Sequence, residues 1–426
     1  MNVLLKSAKI IDENSRFNNL VKDILIEKGV ITKIANKIAK PSNCKELKIN
    51  NLHISNGWFD SSVSFGEPGY EERENIENGL NVAAKSGFTC VAVNPNTSPL
   101  IDNKSAVEFL KKKGEDSAVK ICVIGNLTKN ALGKDLAEMY DMHNSGAIAF
   151  GDYNKSISNA NLMKIALLYA QNFDGLVLSF PEDNSIATSG LVNESENTTR
   201  LGLKPSPNLS EELQISRDLF LLEYTGGKLH IPTITTAKSV KLIQEAKKKG
   251  LNISCSITPH HLLLCDEEIK SFDTNYKIKP PLRSKSDNKA LLKGIKDGVI
   301  DMITSDHNPI DIENKEVEFE NGMFGTIGLE SLFGSLNQIL NLEQTISCLT
   351  ISPRKRFNIP INKIKIGEQA DITLFDPDIH YIFSKKNILS KSKNSAFIDK
   401  NLKGVTFGVI ANDQLVLNTN ALSELK

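Results

Sequence analysis

The residues of this chain that are best suited to chemistry follow short apolar segments in its central part. They include the carboxylates Asp152 and Asp306 and the adjacent imidazoles His260 and His261. Carboxylates and imidazoles transfer protons and ligate metal ions, so these residue types point to acid–base or metal-assisted chemistry. Whether they can act together depends on the fold, which the surrounding pattern predicts.

Short apolar segments alternate with amphipathic helical ones between residues 56 and 363, which is typical of βα units around a parallel sheet. Helices are predicted at Lys104–Lys113, Ala160–Gln171, Ser210–Tyr224, Ala237–Lys249 and Asn288–Lys296. Eight strands are predicted, at Trp58–Val63, Cys90–Asn94, Lys120–Gly125, Ala147–Phe150, Leu176–Phe180, Lys228–Thr233, Asn252–Ile257 and Asp301–Ser305. Eight such units predict an α/β fold, the (β/α)8 TIM barrel, whose active sites lie at the carboxyl ends of the strands.

The two ends of the chain alternate like short strands, with a hairpin signal at Glu27-Lys28-Gly29. Neither end has enough strands for a stable sheet of its own. We therefore predict that residues 1–55 and 364–426 form one small β-sandwich-like domain beside a barrel of residues 56–363. The segment Ser185–Pro207 is rich in Ser, Asn, Gly and Thr and predicts a loop.

Composition excludes several function classes. Fifty-one basic residues balance fifty-one acidic ones, so charge gives no reason to expect nucleic acid or an acidic membrane as partner. No apolar run approaches the roughly 18 residues of a membrane span. The six cysteines lack C-x-x-C spacing, which indicates reduced thiols in the core and favours a cytoplasmic protein.

Several motifs resemble those of one enzyme family, the dihydroorotases. They are E-P-G (67–69) followed by P-N-T (95–97), then T-P-H-H-L (258–262), P-P-L-R (280–283), F-G-T-I-G-L-E (324–330) and A-D-I-T-L-F-D-P (370–377). Dihydroorotases are metal-dependent amidohydrolases that interconvert carbamoyl aspartate and dihydroorotate in pyrimidine synthesis. The resemblance covers essentially the whole chain and implies the same barrel.

The same resemblance implies that the metal site has been lost. At the positions of the family's four metal-binding histidines this chain has Ser62, Ser64, Phe180 and Thr233, and the substrate-binding arginine is replaced by Gly66. A serine hydroxyl is a poor zinc ligand at neutral pH. We therefore expect no cofactor, and zinc only if other groups have rebuilt the site.

A few family residues remain. Asp306 matches the catalytic aspartate, and we interpret it as a vestigial carboxylate that stabilises its loop beside His307. Asp152 is the other retained candidate for a metal ligand. Asn96 is either a substrate contact or a turn residue, and Lys279 either binds an anion or is solvated or ion-paired. The predicted substrate pocket consists of Asn96, Lys279, Ser62 and Ser64.

Three functions stay open on the sequence. The first is a catalytically inactive relative with a structural or regulatory role, for which the resemblance suggests aspartate transcarbamoylase as partner and a homo-oligomeric state. The second is an active dihydroorotase or related cyclic amidohydrolase with an atypical metal site. The third is a metal-free module that binds a small anion.

Overall fold

A computed structural model describes residues 1–423 of the 426-residue chain. Its strands are β1 (Asn2–Ile11), β2 (Val21–Glu27), β3 (Val30–Ala35), β4 (Lys45–Leu47), β5 (His53–Asn56), β6 (Trp58–Val63), β7 (Phe88–Val93), β8 (Lys120–Gly125), β9 (Ala147–Phe150), β10 (Leu176–Leu178), β11 (Val192–Asn193), β12 (Pro205–Ser206), β13 (Lys228–Ile231), β14 (Ile253–Ile257), β15 (Met302–Ile303), β16 (Ile372–Ile382), β17 (Asn401–Ala411) and β18 (Gln414–Leu417). Its helices are α1 (Ile76–Lys85), α2 (Lys104–Lys113), α3 (Met139–Asn144), α4 (Ala160–Ala170), α5 (Asn184–Ala187), α6 (Glu196–Arg200), α7 (Asn208–Thr225), α8 (Ala237–Lys248), α9 (Pro259–Leu263), α10 (Lys285–Lys296), α11 (Ile312–Lys315), α12 (Leu329–Leu336), α13 (Leu342–Leu349), α14 (Ile351–Arg356) and α15 (Thr419–Ser423).

The central part of the chain forms the predicted barrel. Eight strands pair in the order β15-β14-β13-β10-β9-β8-β7-β6, and every pair between neighbours is parallel. The ring closes beyond β15, where His307 bridges Val63 and the Ser64 N–H donates to the His307 carbonyl at 2.7 Å. The predicted α/β barrel is confirmed.

Two adjacent barrel strands are buried along their whole length. All six residues of β6 and all six of β7 are buried, because a parallel strand has the barrel interior on one side and helices on the other. Phe59, Cys90, Cys122 and Phe357 pack together in one buried cluster of the barrel strands. All six cysteines are buried and free.

Several outer helices begin at polar caps. The side chain of Thr236 accepts the Ser239 N–H at the start of α8, and that helix ends near Lys247 and Lys248, which favour the negative end of the helix dipole. α7 begins at Asn208, two residues before the predicted start. Of the helices in the described part of the chain, none combines the length and apolar character that crossing a bilayer requires.

The chain ends pair into one eight-stranded sheet in the order β18-β17-β16-β5-β1-β2-β3, with β4 beside β1. β5 joins the two ends, because it runs parallel to β1 and antiparallel to β16. Ile10, Ile54, Leu374 and Phe407 lie in the buried cluster of this sheet. The domain boundaries at residues 55 and 364 remain a prediction.

The segment Ser185–Pro207 is more ordered than its composition indicates, and the prediction of a loop is wrong. It contains α6, and the parallel pair β11 and β12. Val192 and Leu203 pack against Ile269 and Phe319 in a small buried cluster. Elements of two to five residues are too short to show a hydrophobic period, so tertiary packing determines this structure.

Candidate functional site

A single carboxylate lies at the centre of the strand ends. Asp306 follows β15, and its Oδ1 accepts a hydrogen bond from the Ser62 hydroxyl at 2.9 Å and another from the Tyr153 hydroxyl at 3.1 Å. Ser62 lies near the end of β6 and Tyr153 follows β9, so the barrel brings together groups that are 244 and 153 residues away from Asp306 in sequence. The predicted neighbours Ser62 and Asp306 are in direct contact.

The environment of Asp306 favours the protonated carboxyl. Burial raises the pKa of Asp306 from 3.8 to about 6, against the lowering effect of the Ser62 and Tyr153 hydrogen bonds, and the nearby Asp60 charge raises it further. Burial and the Asp306 charge also raise the pKa of Tyr153 well above 10.0, so its phenol stays a donor. The Asp306 carboxyl therefore accepts hydrogen bonds from two hydroxyls, those of Ser62 and Tyr153.

The backbone at this site is strained in three places. Asp306 has φ of 45°, Tyr153 has φ of 53° and Thr233 has φ of 57°. Left-handed φ values are uncommon for residues other than glycine, and for a β-branched threonine they mark an outlier. Such strain concentrates at functional sites in proteins.

Asp152 is fully occupied by hydrogen bonds from the segment after β8. Its Oδ1 accepts the N–H groups of Leu127 at 2.9 Å and Thr128 at 3.0 Å and the Asn126 amide at 3.4 Å, and its Oδ2 accepts the Thr128 hydroxyl. A carboxylate with these four donors has little capacity left for a metal ion. Asp152 lines the cavity, but its hydrogen bonds hold the segment after β8.

Lys279 is ion-paired. Its Nζ lies 2.8 Å from the Glu182 Oε1 and 5.4 Å above the centroid of the Phe180 ring. The ammonium thus has a carboxylate and an aromatic face as partners, both from the segment after β10. Of the two readings of Lys279, this geometry corresponds to the ion-paired lysine.

The two asparagines after β7 have different environments. Asn94 lines the cavity, and its amide donates to the Ser62 hydroxyl at 3.0 Å and the Ser64 hydroxyl at 3.2 Å. Asn96, the residue singled out from the sequence, is not among the residues that line the cavity, and its Oδ1 is buried without a hydrogen-bond partner. Asn94 and Tyr153 were not predicted as site residues, although Asn94 ends one predicted strand and Tyr153 lies three residues after another.

Two buried histidines near the carboxyl ends of the strands, His230 and His261, are engaged in the scaffold. The two ring nitrogens of His230 lie 2.7 Å from the Ser254 hydroxyl and 3.2 Å from the Ser256 hydroxyl. Those of His261 lie 2.7 Å from the Thr258 hydroxyl and 2.9 Å from the Pro280 carbonyl. Burial lowers the pKa of His261 to about 3 and that of His230 well below 6.5, so both rings are neutral.

The residues of the site do not fit a zinc ion. Within residues 1–423, no three His, Cys, Asp or Glu side chains are placed so that they could hold a metal. Zinc sites in proteins use thiolate, imidazole and carboxylate ligands, whereas Asp306 has hydroxyl neighbours. The remaining cavity measures about 30 Å³, which is room for two or three water molecules. Its walls include Ser62, Tyr153, Phe180, Thr233 and Asp306.

Comparisons with known proteins agree on one family. A family model described as dihydro-orotase-like matches residues 53–239. A dihydroorotase of Syntrophus aciditrophicus is 36% identical over 98% of this chain and 99% of its own length. A dihydroorotase of Pelotomaculum thermopropionicum is 36% identical over 99% of this chain and 100% of its own length.

Solved structures with the same fold are more distant in sequence. An L-hydantoinase (dihydropyrimidinase) from Arthrobacter aurescens superposes with a TM-score of 0.83 at 21% identity, covering 98% of this chain and 97% of the other. A dihydropyrimidinase from Brevibacillus agri gives 0.81 at 18% identity, covering 99% and 97%. At these identities the similarity establishes the fold alone.

Proposed function

The chain belongs to the dihydroorotase family, and from that premise we propose that it is a pyrimidine-pathway member that no longer hydrolyses a cyclic amide. One observation carries the proposal: the carboxylate at the centre of the site is bound by the hydroxyls of Ser62 and Tyr153. Neither hydroxyl is a good ligand for the zinc ion that a hydrolase of this kind would need.

Without the metal ligands the site loses its affinity for zinc, and with the zinc it loses the activated water that attacks the amide. Binding of a structural zinc is worth on the order of 10 kcal/mol or more, shared among a few ligands. A zinc-bound water has a pKa of about 7 instead of about 15.7, and without the ion this nucleophile does not form at neutral pH. Two carboxylates, one of which is held by four donors, do not replace four imidazoles.

The shape of the site supports the same proposal. A cavity of about 30 Å³, lined by Tyr153 and Phe180, holds two or three water molecules. The ion pair of Lys279 and Glu182 also weighs against a metal-free module that binds a small anion, because the ammonium that would bind the anion already has a carboxylate partner.

The test is metal content followed by turnover. We expect protein purified without chelators and incubated with zinc to retain no stoichiometric metal, and to convert neither dihydroorotate nor carbamoyl aspartate above background. Asp306→Asn is the matched control, since it removes the retained catalytic carboxyl. Zinc-stimulated turnover that disappears in Asp306→Asn would contradict the proposal and identify an active cyclic amidohydrolase with an atypical site.

The finer part of the proposal is a structural or regulatory role with aspartate transcarbamoylase. It is supported by retention of the whole scaffold, barrel and terminal sheet, over 98% of the chain despite the altered site. Co-expression of the two proteins should yield one complex of defined stoichiometry on gel filtration. Two independent elution peaks at micromolar concentration would contradict this partner and leave the loss of catalysis untouched.

A further inference from the structure

A cleft of about 500 Å³ lies at the end of the barrel opposite Asp306. Its barrel wall includes Cys90 near the start of β7 and Lys120 at the start of β8. Its other wall belongs to the terminal sheet and includes Asp371, just before β16, and Asn412, just after β17. Pockets for small molecules measure about 300–1,000 Å³ and often lie between two structural units. This space, which we call the lower cleft, therefore has the size and the position of a ligand site.

Both walls of the lower cleft are fixed by contacts between the barrel and the terminal sheet. The Asn412 amide donates to the Ser117 carbonyl at 2.9 Å. The carboxylate of Asp371 lies 3.1 Å from the guanidinium of Arg354, which is buried. A pocket with fixed walls binds a ligand at a lower entropic cost than one that must first be ordered.

Cations predominate among the charged groups of the lower cleft. The cations Lys111, Lys120 and Arg354 line it. The carboxylates there are Glu115 and Asp371, and Asp371 is paired with Arg354. Two ammonium groups therefore stand against one remaining carboxylate, and this excess of positive charge favours an anionic ligand.

A buried thiol next to the lower cleft is exposed to the same positive field. The sulfur of Cys122 lies 3.3 Å from that of Cys90, which lines the cleft. The hydrogen bond with Cys90 lowers the pKa of the Cys122 thiol, and three cations act in the same direction against the effect of burial. They are Lys120, Arg354 and Lys111. The three cations are therefore close enough to one another to act on a single group.

The two lysines have donors left for a phosphate. Within residues 1–423, the Lys120 ammonium has no hydrogen-bond or ion-pair partner. Lys111 uses one of its three donors on a backbone carbonyl at 2.9 Å. A phosphate monoester carries a charge of about −1.5 to −2 at pH 7, so it gains more than a carboxylate from two ammonium groups. The guanidinium of Arg354, whose fork would suit a carboxylate, already donates to the Gly57 and Pro360 carbonyls.

The remaining polar groups of the lower cleft suit hydroxyls rather than an aromatic base. The side-chain amides of Asn362, Gln369 and Asn412 line it. An amide both donates and accepts hydrogen bonds, as a hydroxyl does. None of the described residues that line the cleft is aromatic, so a nucleobase would have no side chain on which to stack.

We propose that the lower cleft binds a small hydroxyl-rich organic phosphate, of the class of the pentose phosphates. Lys111 and Lys120 bind the phosphate, and the amides of Asn362 and Gln369 bind the hydroxyls. This inference goes beyond the loss of hydrolysis and is independent of it, because none of the described residues lines both the cleft and the cavity at Asp306.

The experiment is isothermal titration calorimetry of the full chain near neutral pH and at low salt, with ribose 5-phosphate as the probe. We expect a single molecule to bind per chain. Lys120→Ala should raise the Kd at least about tenfold, because a charge-assisted contact to the phosphate is lost. The matched control is Lys112→Ala, an exposed lysine next to Lys111 that does not line the cleft, and it should leave the Kd unchanged. Circular dichroism melts confirm that both variants fold.

Three further ligands test the proposed class. Ribose, inorganic phosphate and succinate should each bind at least about tenfold more weakly than ribose 5-phosphate, because none of them has both a phosphate and sugar hydroxyls. Equally tight binding of any of the three overturns the assignment of the ligand class.

Hydrogen exchange locates the site without a variant. Ribose 5-phosphate should slow the exchange of amides in segments 115–121 and 410–414 and leave segment 304–310 unchanged. Protection of segment 304–310 alone overturns the proposal, because the ligand then binds at the other end of the barrel. So does a wild type that binds no ribose 5-phosphate at millimolar concentration, or a Kd that Lys120→Ala leaves unchanged.

Discussion

Replacing Asp306 with asparagine is expected to stabilise the protein at pH 8. In a working hydrolase the same change would remove a catalytic group, but here the carboxylate has no metal ligands beside it. Asparagine keeps an oxygen that can accept from Ser62 and Tyr153, as Asp306 does now. It also tolerates the left-handed φ of 45° at this position better than most residues.

The size of the expected gain in unfolding free energy follows from the titration of Asp306. Its pKa is about 6 in the folded protein and 3.8 ordinarily, so the folded state binds more protons than the unfolded state between these values. Stability is therefore lost as the pH rises through that window. The loss at pH 8 is about 3 kcal/mol, and at pH 5 about half of that. Because part of the Asp306 side chain is accessible to solvent, these values are upper bounds.

Urea denaturation of the wild type and Asp306→Asn measures the difference in their free energies of unfolding at pH 8 and at pH 5. We expect the variant to be more stable at pH 8 and its advantage to shrink at pH 5. Asp306→Ala is the control, because it removes the charge but leaves the hydroxyls of Ser62 and Tyr153 without their acceptor. A variant that is less stable at pH 8, or whose advantage is the same at both pH values, would refute the reasoning.

Three further substitutions test one strained residue of the site and two buried cations elsewhere in the chain. Thr233→Asn should stabilise by about 1 kcal/mol in thermal unfolding, because asparagine accepts the φ of 57° at lower cost, and a loss of stability would contradict strain there. Arg283→Met should destabilise by about 3 kcal/mol in urea, since it removes three buried hydrogen bonds and leaves a buried glutamate, whereas Arg200→Met in an exposed pair should change stability by about 0.5 kcal/mol or less. Lys315→Met should destabilise by about 3 kcal/mol because three carbonyls lose their ammonium donor, and equal effects from Lys315→Met and the exposed Lys285→Met would refute this.

The barrel strands could be predicted closely because each is a short apolar run bounded by polar residues. The predicted strands Lys120–Gly125 and Ala147–Phe150 have those bounds in the structure. The last strand, predicted at Asp301–Ser305, is shorter and covers Met302–Ile303. There the Thr304 hydroxyl and the Ser305 N–H donate to the Asp60 carboxylate of β6, which links the last strand to the first across the seam of the barrel. A contact between the first and last strands has no local signature.

The helix α1 was not predicted, and its glycine explains why. Gly79 lies inside the helix and lowers its intrinsic propensity. A Cβ at this position would lie 2.4 Å from the Phe65 ring, so packing against the segment after β6 requires glycine. Tertiary packing thus outweighs a local preference that argues against a helix.

The residue types at the site were predictable, and their contacts less so. Ser62 and Phe180 stand where the resemblance implies metal-binding histidines, which the sequence alone shows. That Tyr153 donates to Asp306 depends on side-chain direction across the barrel, which no spacing encodes. The pair of Lys279 and Glu182 likewise joins residues from different strand ends.

The substitutions at the site form one arrangement rather than a set of separate losses. Asp306 accepts from Ser62, Ser62 accepts from Asn94, and Lys279 covers the ring of Phe180. The Asp306 carboxyl and the Ser62 hydroxyl are thus both hydrogen-bonded within the site. A single reversion such as Phe180→His would add one imidazole beside the Lys279 ammonium without assembling the three or four ligands that zinc requires. Such a reversion should therefore leave metal content unchanged, and any restored site needs the whole arrangement to be replaced together.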